Sequence, residues 1–385
     1  MRRDLASVAC LLIAAVRVFV QDPPRQGLQP QTGIPGVIAP GTTIQLVKDG
    51  FQFLEGPNGT RDGGLVFSDL GASTMYRLEP TGEITVAREL YAGCLELDPR
   101  YAPAWARLAR CYWVEAKWST HGDDDLARAE QAFQKAFELN PDLAVAHNLY
   151  ARFEADRGRA IPAVQRLLGR VKLTPSNAEL YVGLVHACRY AGLLEASAAA
   201  HDRALQLDPQ AQTSVEHTYF MMGDYARVMS APEVDMGYAK ANALVLQGRV
   251  EQALEQARAR ERSMAADPVR DFLVSFRAML EGNKKESMQA MERLLSQRFL
   301  DLEGSYYLAR QMARLEERDR ALKMLASATE RGYCCYPALT MEPWFEPLQG
   351  MLEFQAVVQK GRALREEAQR VFSEAGGEQA LRLGP

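Results

Sequence analysis

The chain has 385 residues, 47% of them hydrophobic and 24% charged, with a formal net charge of −4. That length exceeds what one core usually fills and favours several domains or a repeat array. The charge balance supplies no basic surplus for nucleic acid, and six scattered cysteines with no Cys-x-x-Cys pair give no zinc site.

Met1-Arg2-Arg3 is basic, Leu5 to Val16 is an apolar run, and a polar, proline-rich stretch follows. This is the layout of a signal peptide, assigned to residues 1–20. The run is too short for a comfortable membrane span, so no stable span is expected after cleavage. Export to the periplasm or the medium is the expectation. A cytoplasmic chain, or one anchored by an uncleaved N-terminal segment, is the alternative. Residues 21–40, rich in proline and glycine, read as a linker.

Residues 41–85 change to β. Thr42 to Val47, Leu65 to Asp69, Thr74 to Leu78 and Glu83 to Val86 are short strand-like runs. Gly63-Gly64 and Pro80-Thr81-Gly82 are turn signals between them. Gly50-Phe51-Gln52-Phe53-Leu54-Glu55-Gly56-Pro57, Asp62-Gly63-Gly64-Leu65-Val66-Phe67-Ser68-Asp69 and Tyr76-Arg77-Leu78 resemble the first blade of the gluconolactonase (SMP-30-like) propellers. That resemblance implies a lactone hydrolase using Ca²⁺ or Zn²⁺, with Glu55 as a metal ligand. It covers about one blade; the family's other ligands and its catalytic acid lie in blades absent here. One carboxylate cannot satisfy Ca²⁺, which takes six to eight oxygens. An inactive fragment without a cofactor is therefore expected.

Pro141, Pro175 and Pro209 recur at one constant interval, their numbers rising by 34 each time. Pro99 precedes Pro141 by the same 34 plus an insertion of 8. At 12, 8 and 5 residues before the prolines a small–large–small pattern recurs: Ala87, Tyr91 and Cys94, then Ala129, Phe133 and Ala136. Trp105, Leu108, Ala109 and Tyr112 after Pro99 find counterparts in Tyr181, Leu184, Cys188 and Gly192 after Pro175. A constant period of this length with helical content means stacked helix-turn-helix units. These positions resemble the tetratricopeptide repeat (TPR). The resemblance implies a mainly α fold, a right-handed α-solenoid over residues 86–336 with about seven repeats, the later ones degenerate. Residues 337–385 read as an aromatic loop and a capping helix. Ala144 to Tyr150 and Leu180 to Ser197 are similar to the TPR tails of bacterial kinase- and cyclase-linked signalling proteins, which offers a sensor or docking remnant as another reading. No kinase signature accompanies them.

TPR arrays bind peptides on a concave face lined by the first helix of each repeat. Carried onto this sequence, that face includes Arg110 and Trp113, then Asn148 and Arg152, then Glu179, His186, Arg189 and Tyr190. Arg110, Arg152 and Arg189 would align across three repeats, with Trp113 and Tyr190 as apolar anchors. Guanidinium forks suit carboxylates. The expected function is a non-catalytic scaffold for a protein or peptide partner of acidic character. The five histidines fall at different helical offsets and suggest no metal site.

Overall fold

The computed structural model describes residues 54–59, 65–69, 74–78, 84–118, 122–232, 237–263, 268–296, 301–334 and 336–383. The signal peptide and linker expected over 1–40 lie outside them, as do Asp62, Gly63 and Gly64 of the propeller-like text. The chain divides into two compact units.

The first unit comprises residues 1–97 with 263–265. Four strands, β1 (Leu54–Gly59), β2 (Leu65–Asp69), β3 (Thr74–Leu78) and β4 (Ile84–Val86), form an antiparallel sheet in sequential order. β2 and β3 pair without interruption from Leu65↔Leu78 to Asp69↔Thr74. The β1–β2 register shifts between Glu55 and Asn58, one local bulge. β4 runs directly into helix α1 (Ala87–Leu97).

The second unit, residues 98–262 and 266–385, is helical among its described residues. Its helices come in pairs. The first three are α2 (Ala102–Trp118) with α3 (Gly122–Leu139), α4 (Ala144–Asp156) with α5 (Ala160–Leu173), and α6 (Ala178–Tyr190) with α7 (Leu194–Leu207). Next come α8 (Val215–Met221) with α9 (Tyr225–Ser230), and α10 (Tyr238–Leu246) with α11 (Val250–Ser263). α12 (Pro268–Leu280) with α13 (Lys284–Ser296), and α14 (Leu302–Arg314) with α15 (Arg318–Glu330), complete the series. Seven pairs thus follow α1, one more complete pair than a count of about seven that includes a leading half-repeat.

The local sequence explains each junction. Where one pair meets the next, Asp98, Asn140 and Asp208 accept hydrogen bonds from the amides of Arg100, Asp142 and Gln210. These are Asx turns, and proline at the intervening position cannot continue the preceding helix. Six residues after the proline, Trp105 Nε1, His147 Nε2 and Tyr181 Oη each bond the proline carbonyl, at 2.9, 2.8 and 2.9 Å. Within a pair, Gly158, Gly192, Gly223, Gly248 and Gly282 have φ of 72° to 78°. Glycine adopts this left-handed conformation without a Cβ clash. The amide after each glycine reaches back to close the helix, as Arg159 N does to Glu154 O at 2.8 Å.

The eight-residue insertion before Pro141 forms no long loop. α2 and α3 have 17 and 18 residues, against 13 and 14 in α4 and α5. Each helix gains four residues, about one turn, so its packing face is preserved. Asp123, Asp124 and Asp125 form the first turn of α3, where the helix dipole favours carboxylates.

The end of the chain departs most from expectation. The aromatic loop is helical: α16 (Tyr336–Met341) and a 3-10 turn, Pro343–Leu348. Trp344 and Phe345 are buried, and Phe345 meets Tyr306 of α14 edge-on at 5.7 Å. The capping helix α17 (Leu352–Glu374) packs on α15 and also on α5, while α18 (Gly377–Leu381) packs on α5 and α7. The array therefore closes on itself. The turn within the second pair meets the turn that ends the seventh: a Cβ on Gly158 would collide with Arg331 O, and one on Gly332 with Gly158 O. Cys334 N donates to Tyr190 O at 3.1 Å, and Arg365 Nε to Gly192 O at 3.4 Å. No helix among the described residues is long and apolar enough to cross a membrane.

Candidate interaction site on the first helices of the pairs

Closure changes what the first helices face. α6 and α14 are buried on nearly every side: Tyr181, Leu184, Val185, Tyr306, Tyr307, Leu308 and Ala309 are each no more than 2% exposed. A helix apolar all round belongs inside a core, and polar residues on it need partners there. Most residues expected to line an open groove have found such partners.

Arg189 is 1% exposed. Its Nε and Nη2 grip the two carboxylate oxygens of Glu303 at 2.6 and 3.1 Å, and Nη1 bonds Ser214 O and Oγ at 3.0 Å. This guanidinium is spent inside the chain. Burial alone would lower its pKa, but the Glu303 carboxylate holds it above the ordinary arginine value. Arg189 also misses the expected alignment: Arg110 and Arg152 lie 11 residues after their prolines, Arg189 lies 14 after Pro175, and His186 occupies the eleventh position. Tyr190 is no exposed anchor. It stacks on His186 at 4.3 Å and donates to Asp301 Oδ1 at 3.3 Å. Trp113 is buried too, with Nε1 donating to Asp156 Oδ2 at 3.0 Å and Phe153 against its edge. Lys117 lies over the Trp113 ring and pairs with both Asp156 and Asp301.

Three residues absent from the sequence reading of the groove therefore organise it: Lys117, Asp301 and Glu303. A signal for the last of them existed. Glu303, Arg310 and Gln311 interrupt an otherwise apolar and aromatic helix, a pattern that requires interior pairing. Arg310 is fully buried, pairs with Glu342, donates to Asn242 Oδ1 at 2.8 Å and lies over the rings of Phe220 and Trp344.

The remaining groove residues form a strip along α4 and the start of α6. Asn148 Nδ2 donates to Glu179 Oε2 at 2.6 Å; Asn148 is buried and Glu179 exposed. Arg152, one turn along α4, is half-buried. Its Nε is buried without a hydrogen-bond partner among the described residues. Burial first, and then the charges of Arg110 and Arg189, lower its pKa to about 10. Asn148 Oδ1, Asp156 Oδ1 and His186 Nε2 are likewise buried without hydrogen-bond partners, the last two 3.6 Å apart. Burial pushes His186 down to about 4, against the pull of Asp156. Beside the strip, a cavity of about 150 Å³ is lined by Trp113, Lys117, Leu126, Asp156, Arg157 and Arg331.

No cluster of histidine, cysteine and carboxylate side chains among the described residues could hold a metal ion. Only the backbone of Glu55 is described, in β1 opposite Ser68. Cys188 and Cys334 are free, buried thiols whose pKa values are raised by that burial.

No protein-family model matches the sequence, and no curated protein matches it. Solved structures similar to the chain include YrrB, a TPR protein with an unusual peptide-binding site. It is 15% identical, covers 54% of this chain and 96% of its own, with a TM-score of 0.24. Yeast Tom70 is 15% identical over 77% of this chain and 61% of its own, with a TM-score of 0.31. The TPR domain of P58(IPK) is 12% identical over 74% and 94%, with a TM-score of 0.20. The architecture rests on the chain's own geometry. Prolines at a constant interval, helices in consecutive pairs and left-handed glycines at the turns within them make the second unit a helical repeat array of TPR type.

Proposed function

We propose that the chain is a non-catalytic scaffold whose first helices hold a protein or peptide partner through an acidic group of that partner. The observation that carries this reading is Arg152. It is a half-buried residue whose guanidinium Nε is buried without a hydrogen-bond partner, in a field made more positive by Arg110 and Arg189. A buried charged donor left unsatisfied costs free energy that an incoming carboxylate would recover. Arg189 and Lys117 are ion-paired with Glu303, Asp156 and Asp301, whereas Arg152 makes no ion pair among the described residues and feels Glu179 and Asp156 only at longer range. Asn148 and Glu179, joined to each other on one side, frame the position.

The test is capture of partners on the full-length chain, wild type against Arg152→Glu, followed by titration with the captured protein. Loss of at least about tenfold in affinity is expected, the scale of one charge-assisted hydrogen bond. Equal affinity of the two proteins would remove Arg152 from the interface and the acidic character with it.

A further inference from the structure

We infer that α14 is an internal ligand for the first helices, and that a partner's acidic segment reaches Lys117 and Arg189 only when the closed array opens. The inference rests on the acidic-partner reading and adds its regulation.

The chemistry expected of the partner is already present in the chain. Asp301, just ahead of α14, pairs with Lys117 at 3.0 Å and accepts from Tyr190 at 3.3 Å. Glu303, in the first turn of α14, takes the Arg189 fork at 2.6 and 3.1 Å. Two carboxylates two residues apart thus engage two cations on two separate first helices, α2 and α6, at sequence separations of 184 and 114 residues. Three seams hold the array closed beside α14. One is the backbone approach of Gly158 to Arg331 and Gly332, where no side chain fits. Another is the Cys334–Tyr190 backbone bond, backed by Arg365 on Gly192 O. The third is the packing of α17 on α5 and of α18 on α5 and α7. A ligand shifts an equilibrium only by its differential affinity for the two states. Arg152 is only half-buried in the closed state, while Arg189 is 1% exposed. Closure therefore discriminates between a partner that uses Arg152 alone and one that replaces Asp301 and Glu303.

Two measurements on the full chain test this, with a short peptide of alternating glutamate and glycine as probe. The first compares wild type with the double substitution Asp301→Asn and Glu303→Gln, which keeps shape and the helix cap but removes both charges. The expected result is a larger radius of gyration by X-ray scattering and probe affinity raised about tenfold or more, because the binding-competent fraction rises. The second follows amide exchange across Leu302–Arg314 in wild type, with and without probe, and needs no variant to fold. Probe binding is expected to speed that exchange. An expanded variant that binds the probe no more tightly overturns the inference and leaves the acidic reading standing. So does probe binding to wild type with exchange in α14 unchanged or slowed, or a variant whose radius does not change. Binding to neither protein sinks the acidic reading and this inference together.

Discussion

Glu316 stands where the turns of the second to sixth helix pairs carry glycine. It falls one repeat period after Gly282, holds φ of 63° and is exposed, and Glu317 N still closes the helix onto Met312 O at 2.9 Å. A side chain in this region costs about 1–2 kcal/mol, partly offset by the extra freedom glycine has when unfolded. Glu316→Gly should therefore stabilise the chain by about 1 kcal/mol in urea denaturation; a loss of stability would mean the carboxylate has a role there. His147 and His186 set the pH dependence at the same scale. Both are depressed to about 4, chiefly by burial, so both are neutral when folded and take up protons more readily when unfolded. Their contribution is complete above pH ~6.5 and lost as the pH falls towards ~4. Stability should drop by a few kcal/mol across that window, and replacing both with glutamine should flatten the profile; an unchanged profile would place the sensitivity elsewhere.

At the scale of helices, most of the local structure was legible and the roles of buried charges were not. The prolines, the small–large–small faces and the turn glycines are short-range signals, set by residues within one repeat. The lengthened α2 and α3 were visible as an inserted 8 but not as two extra turns, because helical text and charged-loop text overlap at Asp123 to Arg128. Arg189 misled for a different reason. Arginine is normally exposed, and nothing near it in sequence announces Glu303, 114 residues away. Its burial makes the pair asymmetric to substitution. Arg189→Ala should cost about 3–5 kcal/mol, because Glu303 is left buried without its cation. Changing the pair together to methionine and leucine should recover most of that loss. Additive losses in the double-mutant cycle would show that the two side chains do not act as a unit.

At the scale of the whole repeat unit, closure sets cooperativity. In an open solenoid each repeat touches only its neighbours, so removing terminal repeats leaves distant ones nearly intact. Here α5 and α7 receive α17 and α18, and α6 receives Glu303 and Cys334 from the seventh pair and beyond. Periodicity cannot encode such contacts: they join unlike positions of non-adjacent repeats, and only the run Tyr306-Tyr307-Leu308-Ala309 of α14 pointed to a buried setting. A chain ending at residue 300 separates the two cases. It retains every residue of α2 to α13 and loses Asp301, Glu303 and Cys334, which meet Lys117, Arg189 and Tyr190, together with the helices lying on α5 and α7. Nearest-neighbour stacking alone predicts that α4 to α7 keep their protection in amide exchange. The closed array predicts the opposite: protection falls across α4 to α7, while α12 and α13 are affected mainly through the lost α14 neighbour. The full chain should show one urea transition for residues 98–385 and the truncated chain a broader, lower one. Equal protection of α4 to α7 in both chains would mean that the contacts across the ring add little to a stack that is stable without them.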